Sequence, residues 1–319
     1  MEFVVKKTSE LTEAEKNSYR TLFIRVFKQE RSLETFENQY KQNPFGYSYH
    51  SLAIDNGEIV ASHTAFPSYY WYGDKKVKAY ITGDTMVDKP YRDGVTFFDM
   101  VKTLSKYMKD EQFSFSFGFP NDHAHPVFLK TKMAKDIGML DIYVLPYRIG
   151  GIKKVLSFLN PLSKVFCCLI SRIGNIGASC QLQVYPIHKD CETYNETRYK
   201  RMDGHYQHVS YKGSEFYYKI KVHEGIKTAF LIDVVEKSEK NICMAVTYLL
   251  KYEKYNFDLL MYVGYFGKRI KKTGMIKIPR KFAPKHFYFT GKSYSKDIED
   301  KVLFDINNWD VNLSDYDII

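Results

Sequence analysis

Residues 84–109, DTMVDKPYRDGVTFFDMVKTLSKYMK, change their apolar period partway along. Up to Val87 the stretch continues a strand that begins at residue 77, after the turn at Gly73-Asp74. Pro90 and Gly94 then mark a turn, and Phe97, Val101, Leu104 and Met108 recur at helical spacing over 95–109. A helix that starts directly after a strand offers its first backbone amides and the positive end of its dipole to an anion. Gly94 lets the chain approach such an anion closely, and Lys89 and Arg92 add cationic side chains at the same end. A phosphate cradle is therefore expected here. The same features attend many strand-to-helix turns, so the flanking sequence has to carry the rest.

On the N-terminal side, Thr12 and Glu15 form a capping box before Tyr19, Leu22, Phe23, Val26 and Phe27, which share a helical face. Ser32 caps a second helix with Leu33, Phe36 and Tyr40, stopped by Asn43, Pro44 and Gly46. Strands are expected at 49–54, 59–72 and 77–87, joined by turns at Asn56-Gly57 and Gly73-Asp74. On the C-terminal side, Phe113, Phe115, Phe117 and Phe119 alternate with Ser114, Ser116 and Gly118 as another strand. A short helix follows Asp122, and a strand at 140–145 is expected to close the unit.

Residues 148–190 read as a connector holding the apolar segment 155–173, VLSFLNPLSKVFCCLISRI. It is short, and Pro161 and Lys164 interrupt it; a membrane-surface helix would need a strongly basic polar face, so a buried connecting helix is expected. Beyond it, strands at 216–222 and 228–235 pair around Glu224-Gly225. A helix carrying Ile242, Val246, Leu249 and Leu250 and strands at 257–262 and 287–290 follow. The expected division is 1–147, the connector 148–190, and a second α/β lobe at 191–319 that repeats hairpin, helix and strand.

Within 319 residues, 47 Lys and Arg exceed 37 Asp and Glu by ten, which attracts anionic partners. A 45% hydrophobic content excludes a disordered chain. Cys167, Cys168, Cys180, Cys191 and Cys243 match neither zinc-ligand spacing nor a secreted disulfide framework, so reduced thiols and no metal are expected. MEFVVKKTSE lacks the apolar core of a signal peptide, and no uncharged run spans a bilayer, so a cytoplasmic location without a transmembrane segment is expected.

Residues 87–94, VDKPYRDG, on a strand and before an amphipathic helix, resemble the acyl-CoA loop of the GCN5-related N-acetyltransferase (GNAT) superfamily. Gly118-Phe119-Pro120-Asn121 and the helix after it are similar to that superfamily's next strand and helix, and the element order matches. The resemblance covers roughly the first 147 residues. Asn43-Pro44-Phe45-Gly46, Asn308-Trp309, Asp315 and Asp317 resemble a subgroup found with bacterial surface-polysaccharide genes. It implies an α/β (α+β) fold, a GNAT-like mixed sheet flanked by helices, followed by a second, diverged lobe. It also implies acetyl-CoA or another acyl-CoA as co-substrate. Thr85, Met86 and Val87 would offer backbone groups to the pantetheine arm, and Arg92, Asp93, Gly94, Val95 and Thr96 amides to the pyrophosphate. Asn121 would lie near the pantetheine. The family loop carries a second glycine that this one lacks, and Phe128 stands where many members have a tyrosine acid.

Attack of an amine on a thioester needs a proton acceptor and a group to protonate the leaving thiolate. Asp84, on the strand lining the expected cleft, and His123, at the mouth of the following helix, are the candidates. Tyr70 and Trp71, within four consecutive aromatics, are candidates for stacking on a sugar or base. His63 reads as a core histidine and His125 as a surface or capping residue. The leading function is acyl-CoA-dependent N-acyl transfer to a primary amine, an amino sugar or its nucleotide-linked form. The alternatives are aminoacyl transfer from tRNA, whose binding would weaken steeply with salt, and a non-enzymatic acyl-CoA-binding or scaffold protein.

Overall fold

The computed structural model describes residues 1–197, 199 and 206–316, and its contacts divide the chain into two compact units. Asp317, one of the residues that carried the subgroup resemblance, lies outside the described residues. The first unit comprises 1–138, 186–204 and 288–305; the second comprises 139–185, 205–287 and 306–319. The units interleave along the chain, whereas the sequence reading places three consecutive segments.

In the first unit, β1 (Glu2–Lys7), α1 (Glu13–Phe27) and α2 (Leu33–Lys41) precede the meander β2 (Tyr49–Asp55), β3 (Glu58–Tyr72) and β4 (Lys75–Val87). Both halves of the Thr12–Glu15 capping box form, and the Ser32 side chain accepts from the Thr35 amide. Asn56 and Gly57 take the positive φ angles the β2–β3 turn needs. Next come α3 (Val95–Asp110), β5 (Phe115–Gly118), α4 (Ala124–Lys130) and β6 (Lys135–Met139). The sheet runs β1, β2, β3, β4, β5, then a strand at Tyr288–Ser293, then β6. β4 and β5 are parallel; the other pairs from β1 to the late strand are antiparallel.

The alternation of β2 distributes its side chains between two helical layers. Tyr49 packs with Leu104 and Met108 of α3, Ser51 Oγ donates to the Met100 carbonyl, and Ala53 joins Met100. His50, on the opposite face, meets Tyr19 of α1 and Tyr40 of α2 edge-on. The buried Thr8, His50, Thr64 and Tyr19 side chains on this face are paired, as burial requires. Thr8 Oγ1 lies 2.9 Å from His50 Nε2, and Thr64 Oγ1 lies 3.3 Å from His50 Nδ1 and 3.0 Å from the Tyr19 hydroxyl.

The strand expected to close this unit does not do so. β7 (Asp141–Leu145) pairs antiparallel with residues 260–264 in the second unit's sheet. Tyr288–Ser293 instead takes the place beside β5. Strand alternation tells which residues extend and says nothing about which neighbour they choose.

The second unit contains α5 (Ile149–Ile152) and α6 (Asn160–Asn175); β8 (Ile187–Lys189) and α7 (Cys191–Glu196) belong to the first unit. The second unit continues with β9 (Gln207–Tyr211), β10 (Ser214–His223), β11 (Ile226–Val234), α8 (Glu239–Tyr252), β12 (Leu259–Gly264) and β13 (Ile276–Lys277). Its sheet order is β13, β7, β12, β11, β10, β9. The strand at Tyr288–Ser293 is β14, and α9 (Asp300–Leu303) ends the first unit's helices. An antiparallel hairpin, a helix and a parallel strand recur in the same order, β3–β4–α3–β5 in one sheet and β10–β11–α8–β12 in the other. Each parallel strand is then flanked by an antiparallel strand from a distant part of the chain, β14 in the first sheet and β7 in the second.

The segment expected to be a buried connecting helix is largely exposed. Only Cys167, Ser171 and Gly174 of α6 are buried, while Leu162, Val165, Leu169 and Ile173 face outward. Small residues form the packing face because Gly174 lies against Gly274, where a β-carbon would meet the Gly274 Cα at 2.6 Å.

Candidate active site

The first unit's sheet opens at one point. The β4–β5 ladder ends at Thr82 and Gly118, while β4 runs on to Val87, still paired to β3 through Met86 and Val87. The parallel strands therefore part beyond Thr82, leaving the β5 side of 83–87 without a strand partner among the described residues. A β-carbon on Gly118 would collide with Thr82 Oγ1, so glycine makes room for the threonine side chain at this last rung.

The β3–β4 register shifts between Ser62 and Thr64, where Gly83 pairs with Thr64 and Met86 with Ser62. Asp84 and Thr85 thus stand opposite the single residue His63, and Asp84 takes a φ of +43°. Left-handed backbone at a non-glycine residue is strained, and bulges of this kind re-aim side chains. Here they turn Asp84 and Thr85 to opposite faces of the sheet.

Asp84 faces α2. Its Oδ2 accepts from the Tyr40 hydroxyl, from Arg31 Nη1 at 3.2 Å and from Gln39 Nε2 at 3.1 Å. Arg31 also donates to the Tyr40 hydroxyl at 2.8 Å, and its guanidinium lies 3.6 Å from the centre of the Phe23 ring. Burial, and after it the Asp84 charge, raise the Tyr40 pKa well above that of a free tyrosine, so Tyr40 remains a donor. Thr85 faces the α3 and α4 side, where its Oγ1 lies 2.7 Å from His63 Nδ1. Burial lowers the His63 pKa to about 4, so its imidazole is neutral at ordinary pH and is a poor proton acceptor. Phe128 of α4 lies near both His63 and Phe97 of α3, an apolar contact between the two helices and β3.

At the start of α3, Gly94 adopts a φ of +82° in open space. Asp93 Oδ1 accepts from the Thr96 amide at 2.9 Å, and this bond holds the Asp93 carboxyl below its ordinary pKa. Arg92 folds back, donating from Nε to the Val87 carbonyl at 2.9 Å. The loop is thereby tied to the end of β4, and one helix-start amide is already engaged by a carboxylate. Val95 is exposed and Thr96 is buried. Beyond β5, Asn121 Oδ1 accepts from the amides of His123 and Ala124 at 3.1 and 2.9 Å, so Asn121 caps α4. His123 is exposed beside it, and His125 stacks on Tyr288 and bonds Asp136.

Tyr70 and Trp71 are placed elsewhere. They pair with Val77 and Lys76, five and six residues along β3 from Ala65, the partner of Thr82, which at strand rise is about 17–20 Å away. Tyr70 is fully buried among Phe115, Phe117 and Tyr194, with its hydroxyl bonded to that of Tyr194. Trp71 donates to Asp190 and stacks on His188. The strand alternates them between core and rim, so Tyr70 is taken up by packing while Trp71 stays half-exposed at the rim.

The α2 face instead holds a shallow surface depression with little enclosed space. Gln42, Asn43, Phe66, Ser68, Ile81 and Thr197 contribute to its lining. Phe66 links it to the bulge: its ring stacks on Tyr40 and lies where a Gly83 β-carbon would meet it at 2.9 Å. Asn43 was legible as a helix stop and as part of the subgroup resemblance, and Thr197, 113 residues beyond Asp84, carried no local signal.

Residues 7–130 match the model of the acetyltransferase (GNAT) domain. Solved structures share the fold across most of the chain at low identity. A conserved protein of unknown function from Enterococcus faecalis, described as a probable N-acyltransferase, has a TM-score of 0.55 at 11% identity, covering 92% of this chain and 73% of that one. A GCN5-related N-acetyltransferase from Anabaena variabilis has a TM-score of 0.56 at 8% identity over 92% and 73%. Eis1 from Mycobacterium abscessus has a TM-score of 0.54 at 11% identity over 92% and 74%. No curated protein matches the sequence. Residues 7–130 are thus similar to the GNAT domain, and the chain folds as a GNAT-like mixed α/β protein with two open sheets.

Proposed function

We propose that the chain is an N-acyltransferase that moves an acyl group from acetyl-CoA, or a related acyl-CoA, to a primary amine. The observation that carries this reading is the parting of β4 and β5 beyond Thr82–Gly118, with Thr85 and Asp84 turned to opposite sides of the opening. On the α3 and α4 side, the backbone of Thr85, Met86 and Val87 pairs with the pantetheine amides in place of the missing strand. Amides from Arg92 to Thr96, around the open Gly94, hold the pyrophosphate. Asn121 fixes the start of α4 beside the pantetheine.

On the α2 side the amine enters through the pocket at Gln42 and Phe66 and meets Asp84. Arg31 and Tyr40 fix Oδ2 as an acceptor, leaving Oδ1 to take the amine proton through a water. The nitrogen attacks the thioester carbonyl carbon, the C–N bond forms, the C–S bond breaks, and His123 protonates the departing thiolate. Much of the acceleration comes from holding the two substrates on one axis through the sheet. The pocket's amide and hydroxyl groups suit a polyhydroxylated amine, so an amino sugar is the acceptor class, consistent with the sequence resemblance at Asn43-Pro44-Phe45-Gly46.

Titration calorimetry with acetyl-CoA, followed by thiol release with a panel of amines including amino sugars, tests the reading. Binding in the micromolar range and amine-dependent thiol release are expected. The absence of heat at millimolar acetyl-CoA would overturn it. Asp84→Asn should lower kcat by about 10²-fold or more with little change in acetyl-CoA affinity.

A further inference from the structure

The helix α6 is packed the opposite way round from an ordinary surface helix. Its small residues face the unit's interior, and Asn175 donates to Thr247 of α8 on that side. Val155, Phe158, Leu162, Val165, Leu169 and Ile173, spaced three or four residues apart, form an outward ridge. Phe158 is 75% exposed and Leu162 66%, values that a folded chain rarely leaves to water along a continuous line. The neighbouring Ile176 and Val184 are exposed as well.

The charge around the ridge is one-sided. Residues 142–189, 48 in all, contain no Asp or Glu, while Lys153, Lys154, Lys164 and Arg172 flank or interrupt the ridge. We propose that this face is a peripheral anchor that lies in the headgroup layer of an anionic phospholipid bilayer. The apolar ridge enters the acyl boundary while the lysines and Arg172 reach the phosphates, a division of labour that long cationic side chains allow. A second copy of this chain would set the same cations against themselves, and a neutral protein surface would leave them unmatched. The helix lies on the bilayer and does not cross it. Its Cys167, Ser171 and Gly174 side is committed to the unit's core, and Lys164 and Arg172 fall within its length.

Co-sedimentation of the full chain with vesicles tests this independently of any acyl transfer. The chain should pellet with phosphatidylglycerol-containing vesicles, stay in solution with pure phosphatidylcholine, and be released by high salt. Phe158→Glu with Leu162→Glu should abolish pelleting while leaving the thermal transition in place, since both side chains are exposed. Lys153→Gln with Lys154→Gln should weaken binding by about thirtyfold. Wild-type chain that stays in solution with anionic vesicles, or that pellets equally with neutral ones, overturns the proposal. So does a dimer in sedimentation equilibrium that the Phe158→Glu, Leu162→Glu variant separates, which would make a second copy the occupant.

Discussion

Thr82 Oγ1 occupies the space that a β-carbon on Gly118 would need, and these two residues form the last rung of the β4–β5 ladder. The rung is the hinge of the opening: below it the two strands are bonded, and beyond it β4 continues with β3 but without β5. Gly118→Ala should force the rung apart and cost about 2 kcal/mol, the usual scale for overpacking a tight contact. Thr82→Ala, which removes the obstructing hydroxyl and methyl, should restore most of that loss when combined with Gly118→Ala. Thermal unfolding of the two single variants and the double variant checks this, and additive losses would show that the two side groups do not compete for one space.

Asp93 competes with the proposed ligand. Its carboxylate bonds the Thr96 amide at the positive end of α3, the position where a pyrophosphate would bring its own negative charge. Asp93→Asn preserves a side-chain oxygen able to cap the helix and removes the charge. Acetyl-CoA should then bind several-fold more tightly, most clearly at low salt. Calorimetry of the variant at two ionic strengths measures it, and unchanged or weaker binding would place the pyrophosphate elsewhere.

Two buried histidines give stability a pH dependence in an unusual window. Burial lowers the pKa of His50 to about 3 and of His63 to about 4, against 6.5 in an unfolded chain. Above pH 6.5 both states are neutral at these sites. As pH falls below 6.5 the unfolded state takes up protons that the folded state refuses, so stability is lost progressively until the folded pKa values are reached. By about pH 4.5 each histidine should have removed roughly 2–3 kcal/mol. Asp190 and Glu239, whose pairing holds their pKa values below the usual carboxylate range, add their losses only at lower pH. Urea unfolding across this range should show a two-proton slope, and a flat profile between pH 6.5 and 4.5 would contradict the neutral burial of both rings.

Local chemistry made the helices and hairpins of the first unit legible. The Thr12–Glu15 box, the Asn56-Gly57 turn and the Phe97 to Met108 periodicity each specify a conformation over a few residues, and each formed. The strand at 140–145 was equally legible as a strand, yet its partner was not, because pairing choice is decided by contacts remote in sequence. The candidate site divides in the same way. Gly94 and Asp93 are readable from the turn they build. The bulge that separates Asp84 from Thr85 depends on register against His63, and the pocket depends on Thr197, so neither has a local signature. Alternation correctly extended the chain at Tyr70 and Trp71, and it could not show that Tyr70 would be enclosed by Phe115, Phe117 and Tyr194. At α6 the apolar residues suggested burial, while Cys167, Ser171 and Gly174, the side that packs, looked unremarkable because close helix approach favours small residues.

The second unit holds a buried ionic cluster that should be costly to break by halves. Lys237, 2% exposed, contacts Asp233 at 2.7 Å and Asp310 at 2.6 Å, and Asn312 Nδ2 donates to Asp233 at 2.6 Å. The cluster joins residues 233–237 to the C-terminal 310–315 segment, where Asp315 Oδ2 accepts from the Asn312 amide. Lys237→Met keeps the apolar length of the side chain but leaves two carboxylates near each other without their cation, so a loss of about 3–5 kcal/mol is expected. Changing Asp233 and Asp310 to Asn in the Lys237→Met background removes the uncompensated charges and should recover much of that loss, because an intact buried pair contributes little over a neutral replacement. Denaturant unfolding of the single and triple variants decides the matter. A Lys237→Met variant as stable as the wild type would mean that water or other groups already neutralise the two aspartates.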